Sequence, residues 1–279
     1  MKRITLQTSA RMMVLITGAA GGLGKAFAVE SASRGWDLFL NDCQGTSLET
    51  LAAGLRQAYG VQVVTHACDL TDPAARTGLF EHVRTEGLHF TMLVNVAGVD
   101  FEGPFFDQSV EQIQTIVRLN VEGTLAMTHA ILEQRKPNET LHIINVASLA
   151  AFYPMPIKAT YAASKRFLLD FSLALREEVR SLDATVTVLC PAGMPTNAEC
   201  IDAIEAQGLA GQLTTRDVGR VADQTLNAAL AGKAIVIPGA INRAMRSLGG
   251  MIPAPLVAGL INWRWNSVRQ KRELMEAKG

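Results

Sequence analysis

Short apolar runs, many of them β-branched, alternate along this chain with longer stretches of mixed apolar and polar positions. Seven runs predict strands: Met12–Thr17, Asp37–Asn41, Val61–Ala67, Met92–Val96, Leu141–Val146, Thr185–Cys190 and Ala234–Ile237. Between them, helical spacing predicts helices over Gly22–Ser33, Ser47–Tyr59, Pro73–Glu86, Val110–Glu133, Ala159–Ser181 and Arg216–Ala231. Thr46-x-x-Glu49 and Ser109-x-x-Gln112 have the form of capping boxes. Asp72-Pro73 reads as an N-cap with proline at the first helical position. Near-continuous apolar strands separated by helices imply an α/β fold, a parallel sheet buried on both faces. In this doubly wound, Rossmann-type architecture the ligand crevice lies at the carboxyl ends of the strands.

One helix departs from the pattern. Phe167 to Leu175 reads Phe-Leu-Leu-Asp-Phe-Ser-Leu-Ala-Leu, apolar nearly all round, where a sheet-covering helix keeps a polar outer face. A partner subunit over that face is expected, in a homodimer or homotetramer; burial under the C-terminal tail is the alternative.

With 279 residues, 48% of them hydrophobic, the chain can bury one large core. Twenty-six basic residues balance 26 acidic ones, which gives no footprint for nucleic acid. Cys43, Cys68, Cys190 and Cys200 show no paired spacing and the histidines are scattered. Reduced thiols, a cytoplasmic setting and no metal site are expected. Lys2 and Arg3 before the apolar Met12–Ile16 mimic a signal peptide, but that run is short and leads straight into a glycine-rich turn, so cleavage is not expected.

Candidate chemistry gathers at the strand ends. Tyr161-Ala-Ala-Ser-Lys165 places a phenol and an ammonium on one helix face. A free phenol, with a pKa near ~10, is a poor base, and a fixed cation beside it favours the phenolate. Ser148 follows the Leu141–Val146 strand, and Thr17-Gly-Ala-Ala-Gly-Gly-Leu-Gly24 lies near the N-terminus. Together they point to alcohol/ketone redox chemistry. In the turn, Gly18 allows the reversal, Gly22 admits a pyrophosphate, and Gly24 lets helix and sheet pack closely. The amides of Gly22, Leu23 and Gly24, at a helix N-terminus, would hold the phosphate charge.

Asp42 ends the second strand, where an acid accepts hydrogen bonds from the adenosine ribose and repels a 2′-phosphate; it would equally cap the turn that follows. Cys43 stands where an arginine would suit NADP, so NAD is expected over NADP. Asp69-Leu70 would line an adenine pocket, or form a loop beside the Asp72 cap. The small residues of Asn95-Val96-Ala97-Gly98 would let the backbone pass under the cofactor.

These residues resemble the short-chain dehydrogenase/reductase family, in its shorter single-domain branch, from about Met12 to Ile237. The match rests on Thr17-Gly-x-x-x-Gly-x-Gly24, Asp69, Asn95-x-Ala-Gly98, Asn120, Ser148, Tyr161-x-x-x-Lys165 and a Pro191…Thr196 loop. The resemblance implies that Tyr161 is the general acid/base, that Ser148 orients the substrate oxygen, and that Lys165 binds the nicotinamide ribose and depresses the tyrosine pKa. It also implies that Asn120 holds a water linking Lys165 to solvent, and that Pro191 and Thr196 contact the nicotinamide carboxamide. Two positions depart from it: Val96, where a second asparagine is common, and Ala192, where glycine is usual and alanine would be strained if φ were positive. A non-catalytic dinucleotide-binding regulator would normally lack the serine, tyrosine or lysine. A sugar-nucleotide-modifying enzyme would need a longer substrate domain.

Specificity should come from Phe101, Phe105, Phe106, Leu149, Phe152, Tyr153, Met155 and Met194, with Ile201–Leu213 as a lid; these suit a lipophilic substrate such as a steroid or acyl derivative. The expected organisation is a catalytic domain over 1–237 and an amphipathic helical extension over 238–279. That tail, with Trp263, Trp265 and several arginines, would dock on the enzyme or an oligomer contact, or lie on a membrane surface.

Overall fold

The computed structural model describes residues 11–195, 215–249 and 252–276. Seven parallel strands form one sheet in the order β3-β2-β1-β4-β5-β6-β7. They are β1 Met13–Thr17, β2 Asp37–Asp42, β3 Val63–Ala67, β4 Met92–Asn95, β5 Leu141–Val146, β6 Ala184–Leu189 and β7 Ile235–Val236. The chain winds outward from β1 to β3, then returns to place β4 on the other side of β1. That reversal opens the crevice between β1 and β4.

The strands are apolar on both sides because both sides are covered. Val14 and Ile16 of β1 face one core with Leu23 and Phe27 of α1 (Gly22–Ser33) and Leu48 of α2 (Gly45–Tyr59). Leu15, between them, faces the opposite core with Leu79 of α3 (Pro73–Thr85) and Met127 of α5 (Thr124–Glu133). A third cluster joins Leu168 and Leu169 of α6 (Ala159–Glu178) to Val188 and Cys190.

Two caps form as expected: Asp72 Oδ1 accepts from Ala74 N at 2.8 Å, and Ser109 with Gln112 makes a full capping box. The Thr46–Glu49 box does not form. The helix starts earlier, because Asp42 Oδ1 takes the Gln44 amide at 3.0 Å and Glu49 instead accepts the Thr65 hydroxyl. The single helix expected over Val110–Glu133 is interrupted: α4 (Val110–Ile116) passes through a π-helical turn, Val117–Gly123, before α5. Such turns are frequent at functional sites, and Asn120 lies inside this one.

Within the protomer α6 is not buried all round. Ala162, Lys165, Leu168, Leu169 and Ser172 face inward, while Phe167 is 42% exposed and stacks on Phe171 at 6.1 Å.

Beyond β7 and α7 (Val218–Leu230) the chain forms α8 (Ala240–Gly249) and α9 (Ala254–Glu276). α8 rests on the turn after Ser148: the Tyr153 hydroxyl donates to Met245 O at 2.7 Å, and Arg246 lies 5.0 Å over the Phe152 ring. On α9, Val257 is buried while Leu256, Leu260 and Trp263 are exposed. No helix among the described residues is long and apolar enough to cross a membrane.

Candidate active site

The glycine turn is built by close backbone contact. Gly18 has φ +64°, and a Cβ there would come within 2.8 Å of the Ala97 backbone. A Cβ on Gly24 would stand 2.0 Å from the Gly18 carbonyl oxygen. Thr17, fully buried, locks the turn to the β4 end: its Oγ1 accepts from Val96 N at 3.1 Å and Ala97 N at 3.2 Å. Gly21 caps α1 without a side chain, so no carboxylate or hydroxyl occupies the amides of the first turn. A backbone cradle that admits no Cβ, opening onto an uncapped helix N-terminus, fits a dinucleotide pyrophosphate.

Asp42 stands beside that cradle, tied to it. Its Oδ2 accepts from Ala20 N at 2.9 Å while Oδ1 holds Gln44 N. Of the two roles read from the sequence, the cap on the following turn is the one seen here; the carboxylate, which offers about four lone-pair sites, keeps further acceptor capacity. Asp69 is exposed and turns its Oδ1 to Thr71 N at 2.8 Å, the loop alternative, whereas Leu70 is buried and its carbonyl accepts from Arg76 Nη1 at 2.5 Å.

The catalytic candidates converge. Asn120, completely buried, clamps the strand-four loop from both sides: Oδ1 accepts from Val99 N at 2.9 Å and Nδ2 donates to Val99 O at 3.0 Å. Nδ2 also donates to Ser164 Oγ at 3.1 Å, reaching the helix that carries Tyr161. A Cβ on Gly98 would lie 3.0 Å from Asn120 Oδ1 and 3.2 Å from Lys165 Nζ, so the absence of a side chain at Gly98 lets the loop pack tightly against both buried polar groups. Lys165 Nζ donates to Val146 O at 2.9 Å and lies 5.7 Å from the centre of the Tyr161 ring. Burial pushes the Lys165 pKa down to about 8, with Asp100 and Cys190 acting the other way. Two residues beyond Val146, Ser148 Oγ accepts from Ala150 N at 3.1 Å. Leu149 N donates to Pro191 O at 2.8 Å and joins that turn to the Pro191 loop.

Asn95 ends β4 as expected, and its side chain has a structural role that the sequence did not show. Its Nδ2 donates to Thr128 Oγ1 at 3.0 Å and Asn145 Oδ1 at 2.9 Å, and Asn145 continues to Ser172 Oγ at 2.9 Å. This buried chain ties α5, β4, β5 and α6 together. The register pairs Asn95 with Asn145, so two asparagines in otherwise apolar strands were the signal for it. Neither Ala192 nor Gly193 has positive φ, so alanine is unstrained there. Thr196, Cys200 and the expected lid Ile201–Leu213 lie outside the described residues. Sequence reasoning missed Lys158, whose Nζ sits 5.9 Å from the Tyr161 ring centre and binds Asp100 and Glu102. Its position one helical turn before Tyr161 was the available clue.

The family model described as short chain dehydrogenase matches residues 12–201. The chain belongs to the short-chain dehydrogenase family. Among its relatives is a very-long-chain 3-oxoacyl-CoA reductase of Laccaria bicolor, 36% identical over 62% of this chain and 52% of that protein. Another is the 17-beta-hydroxysteroid dehydrogenase type 3 of Homo sapiens, 31% identical over 65% of this chain and 59% of that protein. The chain thus spans little more than half the length of these relatives. A solved short-chain dehydrogenase from Sphingobium yanoikuyae in complex with NADPH superposes with TM-score 0.72 at 28% identity, covering 87% of this chain and 96% of that one. A family member from Burkholderia phymatum in complex with NAD gives 0.73 at 25% identity, covering 85% and 92%.

Proposed function

We propose that this chain is a nicotinamide-dependent oxidoreductase that interconverts a secondary alcohol and a ketone, with Tyr161 as general acid/base. The observation that carries the reading is the buried Lys165 ammonium 5.7 Å from the Tyr161 ring, with Gly98 packed so closely beside it that a Cβ there would stand 3.2 Å from Nζ. During alcohol oxidation Tyr161 takes the hydroxyl proton, and Lys165 stabilises the phenolate that does so. Ser148 Oγ, already accepting from Ala150 N, keeps its own O–H to donate to the substrate oxygen. The cofactor, when bound, supplies the hydride acceptor or donor; Gly18, Gly24 and the α1 amides would hold its phosphates and Asp42 its adenosine ribose.

A bulky, lipophilic substrate is part of this reading. Phe105 and Phe106 stand 52% and 97% exposed beyond the strand-four loop, with Phe152 and Tyr153 on the turn after Ser148. The relatives named above act on acyl-CoA and steroid molecules by their names. The test follows reduced-nicotinamide absorbance with NAD and NADP against 3-oxoacyl thioesters, steroid ketones, sugars and small alcohols. No turnover across the panel would overturn the proposal; turnover confined to sugars would overturn its substrate class. The exposed Phe167–Phe171 stack further supports a homo-oligomer, which sedimentation of a monomer would refute.

The NAD reading is supported by Asp42, held to the glycine turn through Ala20 N, with Cys43, not a cation, next to it. Asp42→Asn removes the charge while conserving shape. It is expected to lower the ratio of kcat/KM for NAD over that for NADP by about 10- to 100-fold, the range of one charged hydrogen bond. An unchanged ratio would remove Asp42 from cofactor choice.

A further inference from the structure

Lys158 immediately precedes α6 and is enclosed by acids from another part of the chain. Its Nζ lies 2.6 Å from Asp100 Oδ2 and 2.8 Å from Glu102 Oε2, with its side chain only 20% exposed. Both acids sit on the loop that follows β4, the loop Asn120 clamps at Val99. The backbones are stitched as well: Gly103 N donates to Ile157 O at 2.9 Å. Ile157 itself has φ +58°, an uncommon conformation for a β-branched residue, which costs of order 1–3 kcal/mol and persists only where surroundings impose it. The start of the catalytic helix is therefore held in a strained turn by the strand-four loop, with Lys158 at the junction. Its ammonium ends 5.9 Å from the centre of the Tyr161 ring, opposite in attachment to Lys165 and nearly as close.

We propose that Lys158 is a positioning residue for Tyr161: a second cation, fixed by Asp100 and Glu102, that favours the phenolate and screens it from those two acids. The proposal rests on the reading of Tyr161 as the acid/base. Among the described residues, α6 brings Lys165 toward the phenol, Lys158 stands just before that helix, and the strand-four loop brings Asp100 and Glu102; Cys190, after β6, and Arg246 of α8 act on the same cluster. Cys190 is a neutral thiol, its pKa pushed up to about 12 by burial. Burial lowers the Lys158 pKa, but Asp100 and Glu102 outweigh it and the net shift is upward, so Lys158 stays charged across the working range. Asp100 also raises the Lys165 pKa, which places its field on the catalytic pair. Removing Lys158 thus has two effects of one sign: a cation is lost, and two carboxylates are uncovered. Both raise the Tyr161 pKa.

The chain has three tyrosines, which makes the test direct. In a Tyr59→Phe, Tyr153→Phe background, ultraviolet difference absorbance reports the ionisation of Tyr161 alone. Lys158→Met is expected to raise that midpoint by about one pH unit. Lys158→Arg should restore it to within about 0.3 unit, since the charge returns. Asp100→Asn should move it the other way. Near-ultraviolet circular dichroism at neutral pH checks folding, and Lys158→Gln carries the same expectation if the methionine variant does not fold. A midpoint unmoved by loss of the charge overturns the proposal. The readout needs no substrate, so the two ideas separate. A shifted midpoint without alcohol turnover upholds Lys158 and sinks the redox reading; turnover with an unshifted midpoint does the reverse.

Discussion

Tyr161→Phe is expected to lower kcat by about 10²- to 10⁴-fold, the contribution of a positioned acid/base, and to leave nicotinamide binding unchanged. The ring stays where it was: the half-buried side chain keeps its packing, and Lys165 Nζ remains anchored by Val146 O at 2.9 Å. Only the group that exchanges a proton with the substrate disappears. Lys165→Met tests the other half of the pair and should behave differently. Lys165 is 4% exposed and flanks Gly98, so its loss should weaken both turnover and cofactor binding. Steady-state turnover paired with fluorescence titration of reduced nicotinamide separates the two. Turnover persisting in Tyr161→Phe would move the acid/base to another group and end the mechanism proposed above.

The pH response follows from the same pair. Lys165 has a folded pKa of about 8, below the ordinary lysine value of 10.5, because burial disfavours its charge. The folded protein therefore binds fewer protons than the unfolded chain between about 8 and 10.5. The destabilisation from burying that charge is full below pH 8 and is relieved as pH rises through this window. The unfavourable cation is retained beside Tyr161, where its field acts on the phenol.

Much of this site was legible because its elements are local in sequence. A strand reads as an apolar run, a cradle as a glycine spacing, and a phenol–ammonium pair as an interval of four. The seven strands, the glycine turn and the Tyr161–Lys165 pair came from such signals. What was not legible depends on partners far apart in the chain. Asn95 reads as a strand-end residue until Asn145 and Thr128 take its amide group. The Thr46 box fails because the helix already begins at Gly45 and Thr65, outside it, donates to the Glu49 carboxylate. The π-helical turn leaves no mark in periodicity, and the Asn120–Val99 bonds made from within it join residues 21 apart in the chain. Lys158 looks like a solvated lysine until the fold brings Asp100 and Glu102 to it.

Gly24→Ala should cost about 3 kcal/mol or more of stability and remove measurable dinucleotide affinity. The added methyl would stand 2.0 Å from Gly18 O and 2.8 Å from Ala19 Cα, and both contacts are backbone. No side chain can rotate away, so α1 must lift from the turn. Gly18 cannot retreat in turn, since it is already pressed against Ala97, and Ala97 is fixed by Thr17. The displacement would therefore pass into the β1–β4 crevice and pull the α1 amides out of line with the phosphates that the proposed function assigns to them. Gly54 supplies the control. It lies in the middle of α2, and a Cβ there meets nothing within 4 Å. Gly54→Ala should stabilise by about 0.5–1 kcal/mol, the ordinary gain of alanine over glycine in a helix. Urea unfolding of the two variants, with nicotinamide titration of each, sets the same chemical change at two sites against opposite expected signs. Equal stability of Gly24→Ala and the parent would mean that the turn yields, and that the close approach of α1 to β1 does not shape the crevice.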